Sequence, residues 1–73
     1  MNPIRHFRNT HQMTRKTLSN LSGVPYSTLN NVESGYVSEM KWQTVHALSR
    51  VLEREPGIIQ QEYVAWRESL QKA

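Results

Sequence analysis

Between Ser22 and Gly35 the chain reads SGVPYSTLNNVESG. Five side chains in that stretch carry hydrogen-bonding groups within six positions: Tyr26, Ser27, Thr28, Asn30 and Asn31. Hydroxyls and amides at this density suit non-covalent recognition of polar edges on something outside the protein. They do not suit bond breaking. The chain has no Asp, and its Ser and His residues lack the third group that would orient a base in a concave pocket. His6, His11 and His46 have no metal-ligand spacing and no Cys to support them. Neither an enzyme, a metal site nor a cofactor is expected.

The global sequence narrows the partner. A chain of 73 residues makes one domain, spanning 1–73, with a core that is small but sufficient if helical. No apolar run approaches the roughly 18 residues of a membrane helix. The start, MNPIRHFRNTHQ, lacks the apolar stretch of a signal peptide. With no Cys, these features make a soluble cytoplasmic protein the expectation, with no membrane partner. The net charge of +3 is unevenly spread. Residues 1–32 hold Arg5, Arg8, Arg15 and Lys16 and no acid, for +4, whereas residues 33–73 hold five Lys/Arg against six Glu, for −1. A basic half of this kind points to a polyanion, most often nucleic acid.

Five short helices must position the polar stretch. Asn2-Pro3 is a cap followed by a helix-compatible Pro, and Ile4, Phe7 and His11 mark a helix over about 3–11. Thr14 caps a second helix over 15–22, buried through Leu18 and Leu21 and stopped by Gly23. Val24 anchors the turn and Pro25 presets the next helix, which faces inward through Leu29 and Val32 and ends at Ser34-Gly35. A loop over 36–40 leads to a helix over 41–53 with Trp42, Val45, Leu48 and Leu52 as its stripe. Glu55-Pro56-Gly57 breaks it before a last helix over 58–71, striped by Ile59, Tyr63, Trp66 and Leu70.

Helices two and three, joined at Gly23-Val24, therefore form a helix-turn-helix, with Ser19 and Ser22 available as small residues at the crossing. The segment MTRKTLSNLSGVPYSTLNNVESG, with WQTVHALSRVL downstream, resembles the phage repressor and Cro-type (Xre-like) helix-turn-helix DNA-binding family over about residues 3–53. Thr14 stands at the cap, Leu18-Ser19 at the family's Leu-Ala, Gly23-Val24 at the turn, Ser27-Thr28-Leu29 at Ser-Thr-Ile, and Val32-Glu33-Ser34-Gly35 at the helix end. Arg15 replaces the family's frequent Gln, and Met40 its frequent loop Pro.

The resemblance implies an all-α, five-helix, lambda-repressor-like domain that binds double-stranded DNA. It places Tyr26, Ser27 and Asn31 at base-reading positions and Thr28 and Asn30 at positions that contact base or phosphate. Asn can pair with adenine through both amide atoms, Ser and Thr can donate to several bases, and Tyr26 offers its ring to a thymine methyl or its hydroxyl to phosphate. Thr14, Arg15, Ser34 and Tyr36 match phosphate-contacting positions. Arg8 and Glu33 match a structural ion pair between helix one and the end of helix three. The last helix lies outside the resemblance. Its stripe either covers the core or forms a twofold dimer contact, and a shared role is favoured.

The expected function is a small transcriptional repressor that occupies a palindromic operator as a homodimer. A chain this short leaves no room for a sensing or cleavage domain, which favours a Cro-like or antitoxin-like regulator over a large inducible one. Two rivals are a DNA-binding antitoxin whose last helix grips a toxin, and a protein-interaction module that has lost DNA binding.

Overall fold

Asn2 sets the first helix by two kinds of contact. Its Oδ1 accepts from the Arg5 backbone N–H at 3.0 Å, capping α1 (Pro3–Thr10), and Pro3 fills a position whose N–H would have no acceptor. The computed structural model describes residues 2–72, with side chains as far as Leu70. After α1 come α2 (Arg15–Ser22), α3 (Tyr26–Ser34), α4 (Trp42–Leu52) and α5 (Pro56–Lys72), with no strand among the described residues. The expected all-α, five-helix fold is what is found. No helix of the described residues is long and apolar enough to cross a membrane.

Thr14 caps α2, its Oγ1 accepting from the Thr17 N–H at 3.1 Å. Gly23 ends α2 in the left-handed region, φ +79, which side-chain-bearing residues enter at a cost. Two serines tie the turn that follows. Ser19 Oγ donates to Val24 O at 2.6 Å, and Ser22 Oγ donates to Leu18 O at 2.6 Å while accepting from Val24 N–H at 3.1 Å. Ser at the family's Ala position thus gains a partner instead of leaving a half-buried hydroxyl unmet.

The core takes Ile4 and Phe7 from α1, Leu18 from α2, Val24 from the turn, Leu29 and Val32 from α3, Met40 from the loop, Val45, Leu48 and Leu52 from α4, and Ile59 and Tyr63 from α5. α4 packs on α2 and α5, and α1 packs on α5 and α3. Every helix therefore buries a stripe that none could bury alone.

Three sequence expectations need correcting. Leu21 is 61 % exposed, not buried. The inward row of α2 runs from Leu18 to Ser22, one turn on, where the Ser22 hydroxyl is tied to Leu18 O and the Val24 N–H. Trp42 is 55 % exposed and sits ahead of the first buried residue of α4, Val45. Its ring meets His46 edge-on, with centroids 4.9 Å apart. Finally, α5 starts at Pro56 rather than 58, so Pro56-Gly57 opens that helix instead of separating it from α4. The break lies earlier, at Glu53, which caps α4 with φ +56.

The three glycines are expected to respond differently to Ala. Gly23→Ala meets no neighbour but must hold φ +79, costing about 1–2 kcal/mol. Gly35→Ala costs more, because its Cβ would also meet Trp66 Cη2 at 3.1 Å and Leu70 Cδ1 at 3.2 Å. Gly57→Ala, helical and facing open space, stabilises by about 0.4–1 kcal/mol. Urea unfolding midpoints of the three variants check this order.

Candidate nucleic-acid interface

The site is built around one buried acid. The Glu33 side chain is 1 % exposed, near the C-terminal end of α3, and three arginines from two other helices converge on it. Arg8 grips it with two bonds, Nε to Oε2 at 3.0 Å and Nη2 to Oε1 at 2.9 Å. This two-pronged geometry matches the planar guanidinium to the carboxylate. Arg5 Nε and Arg15 Nη2 add longer contacts, each 3.4 Å to Oε1. Arg8 Nη1 also donates to Met13 O at 3.0 Å, fixing the link between α1 and α2. Burial alone pushes the Glu33 carboxyl up. The hydrogen bond and charge of Arg8, the charge of Arg15 and the bond from Arg5 together outweigh burial and hold it below its ordinary value of 4.5.

Around this knot the expected site residues fall into two groups. Tyr26, 47 % exposed, Ser27 and Asn31 face solvent, and Thr28 is half-buried. The Asn31 amide has no hydrogen-bond partner among the described residues, so both its donor and its acceptor are free. No side chain caps α3, since Pro25 stands at that position, and the first amides of the helix are left without an acceptor. Thr28 and Asn31 also line a groove with Glu39, Lys41 and Thr44. Ser34 is exposed, with its hydroxyl on Asn31 O at 3.1 Å, and Tyr36 is 77 % exposed.

Asn30 and Arg15 are placed differently. Arg15 Nη1 donates to Asn30 Oδ1, and the Arg15 guanidinium lies 5.9 Å from the Tyr26 ring centroid. Arginine has only donors, so the amide oxygen must face it whichever way the amide is drawn. Asn30 thereby spends one lone pair of its Oδ1 on Arg15 and keeps its NH2 free. Its amide orientation is set by Arg15, whereas the Asn31 amide is free to turn toward a base. Arg15 makes one bond each to Asn30 and Glu33, and its side chain, 27 % exposed, keeps further N–H groups for a phosphate, while Thr14 and the first amides of α2 stand at the surface.

The last-helix stripe is likewise split. Ile59 and Tyr63 are fully buried in the core, Trp66 packs against it, and Leu70 is 49 % exposed while touching the Cα side of Gly35. Sequence reasoning missed Arg5 and Arg15 as partners of Glu33. It also missed the second role of Asn2, whose Nδ2 donates to Val32 O at 3.1 Å and Glu33 O at 3.2 Å and so satisfies carbonyls at the end of α3. The absence of any other acid in the first half of the chain was the available signal for the arginines. Among the described residues no group of three or more His or Glu is placed to hold a metal.

A tight turn between two short helices, with the second presenting polar side chains and open amides, defines a helix-turn-helix DNA-binding domain. A family model for the Cro/C1-type HTH DNA-binding domain matches residues 3–57, and the chain belongs to that non-enzymatic family. No similar curated protein and no similar solved structure is found.

Glu33 makes stability depend on acid. Because its folded carboxyl titrates below 4.5, its contribution is complete at neutral pH and is lost as pH falls from about 5 through the folded value. Thermal midpoints recorded from pH 7 to pH 3 are expected to drop over that window in the wild type and to drop less steeply in Glu33→Gln. Glu33→Ala leaves Arg8 buried without its partner and is expected to cost about 3 kcal/mol or more at pH 7.

Proposed function

We propose that the protein is a sequence-specific, double-stranded-DNA-binding transcriptional regulator, a small repressor that binds a palindromic operator as a homodimer and blocks polymerase there. The observation that carries this reading is the first turn of α3. Tyr26 and Ser27 stand exposed there and Asn31 stands exposed in the next turn, and the one acid of that helix is turned inward and neutralised. A free carboxylate on this helix would repel phosphate. Buried against three arginines, it does not.

In the complex α3 lies in the major groove. Tyr26, Ser27, Thr28 and Asn31 read base edges, and Asn30, its amide oriented by Arg15, contacts base or phosphate. Thr14 with the amides of α2, Arg15, Ser34 and Tyr36 hold the flanking phosphates. Residues 1–73 act as one helix-turn-helix unit. α5 covers the core through Ile59 and Tyr63. Its exposed apolar side chains, Ile58 at 46 % and Leu70 at 49 %, support a contact with a second copy. Two copies related by a twofold axis would engage half-sites about one helical turn, roughly 34 Å, apart.

Titration against random duplex at two salt concentrations, followed by selection of sites from a random pool, tests the reading. Salt-sensitive binding and an enriched palindrome are expected. Asn31→Ala should blur one position of the site, at about 1–3 kcal/mol for the preferred base. Arg15→Ala should weaken all sequences alike and reduce the salt slope by about 1. Absence of any binding at low salt overturns the proposal.

A further inference from the structure

The family match ends at residue 57, so nearly all of α5 lies beyond it, yet α5 holds the backbone of the loop that follows α3. Arg67 Nε donates to Gly35 O, and Tyr63 Oη donates to Val37 O at 2.6 Å. These two carbonyls flank Tyr36, the most exposed of the large apolar or aromatic side chains. Further along, the Gln60 amide binds both sides of one peptide segment: its Nε2 donates to Met40 O at 2.7 Å and its Oε1 accepts from Met40 N–H at 3.1 Å. Trp66 and Leu70 close on Gly35 itself, within contact distance of where a Cβ would stand.

A loop that only needed to connect α3 to α4 would not need its carbonyls pinned on both sides of a solvent-facing tyrosine. Three consecutive turns of α5 contribute one side chain each, Gln60, Tyr63 and Arg67, all to backbone atoms of residues 35–40. Backbone atoms are insensitive to what side chain the loop carries, so these bonds fix its path. Met40, where relatives in this family often carry Pro, is held in place by Gln60 instead of by a ring-restricted φ.

We propose that Gln60, Tyr63 and Arg67 are positioning residues for DNA binding: they pre-organise residues 35–40 so that the Tyr36 hydroxyl meets a backbone phosphate. The phosphate contact rests on the DNA-binding reading above, while the ordering of the loop does not. A side chain already fixed in its bound geometry loses less freedom on binding.

The test uses the full chain and the site selected for the wild type. Arg67→Met and Tyr63→Phe each remove one bond to the loop. Ile59→Val, buried in α5 and without contact to the loop carbonyls, controls for lost stability. All are compared at a temperature where circular dichroism shows each to be folded, so destabilisation alone cannot lower affinity. Arg67→Met and Tyr63→Phe are expected to weaken binding by about 3- to 10-fold, with Ile59→Val near wild type. Arg67→Lys, which keeps a donor, should recover part of the loss. In a Tyr36→Ala background, Arg67→Met should cost almost nothing further, because the side chain it positions is gone. Amide hydrogen exchange of residues 36–40 in the free protein should speed up in both loop variants. Affinities equal to that of Ile59→Val, or full additivity with Tyr36→Ala, overturn the positioning role. Faster exchange in the two loop variants, together with a wild type that binds no DNA, would leave the ordering intact while overturning the DNA reading. Unchanged exchange overturns the ordering itself.

Discussion

A carboxylate buried beneath three guanidinium groups is the constraint on which the rest of the molecule depends. Glu33 sits on α3, Arg5 and Arg8 on α1, and Arg15 on α2, so one charge cluster fixes the mutual placement of the first three helices. The cluster is not a general stabiliser. A buried pair of this kind loses most of its Coulomb gain to desolvation and is strongly directional in what remains. Its value is geometric. The two-pronged bond from Arg8 tolerates little rotation, and α3 has only nine residues, too few to hold its own shape in water. The helix that carries the polar side chains is thus oriented by a partner at its far end, which leaves its first turn unobstructed.

The same cluster divides labour within the polar stretch. Four charges in one place can be satisfied only if neighbouring acceptors are recruited, and Arg15 recruits Asn30. Two adjacent asparagines, identical in composition, thereby become different groups: one with its amide free to turn, the other with its amide oxygen held by a guanidinium. The exchange of the family's Gln for Arg at residue 15 has this consequence. A Gln there could bond an amide through either atom, whereas Arg selects the oxygen.

At the opposite end of α3 the constraint is backbone conformation. Gly35 adopts φ +80, with its N–H on Val32 O and the Tyr36 N–H on Asn31 O, so the chain leaves the helix in one direction. The missing Cβ also makes room for Trp66 and Leu70. α5 can approach this closely only because the residue there is glycine. One position therefore serves both the end of α3 and the docking of the last helix.

How much of this was legible in the sequence follows from the range of the forces involved. Caps, turns and left-handed stops are local, so Asn2, Thr14, Gly23 and Gly35 marked their helices to within a residue, and the spacing of the motif placed the helix-turn-helix. The inward and outward faces were less secure where a helix is short. An i, i+3 pattern named Leu21, but the buried row runs to Ser22 at i+4, and only the packed neighbours decide between the two. The pairing of Arg8 with Glu33 came with the motif. The convergence of Arg5 and Arg15 on the same carboxylate did not, because it joins residues 28 and 18 positions apart through three-dimensional placement alone. The same holds for α5. Its stripe showed that it is a helix with an apolar side, but Gln60 and Arg67 are polar residues whose partners are backbone atoms more than 19 positions away. The sequence by itself determined the helices, the turn and the family. Which polar side chains stand free and which are spent on holding the fold was decided only by tertiary structure, since every donor on the surface of one helix must be matched against acceptors supplied by the others.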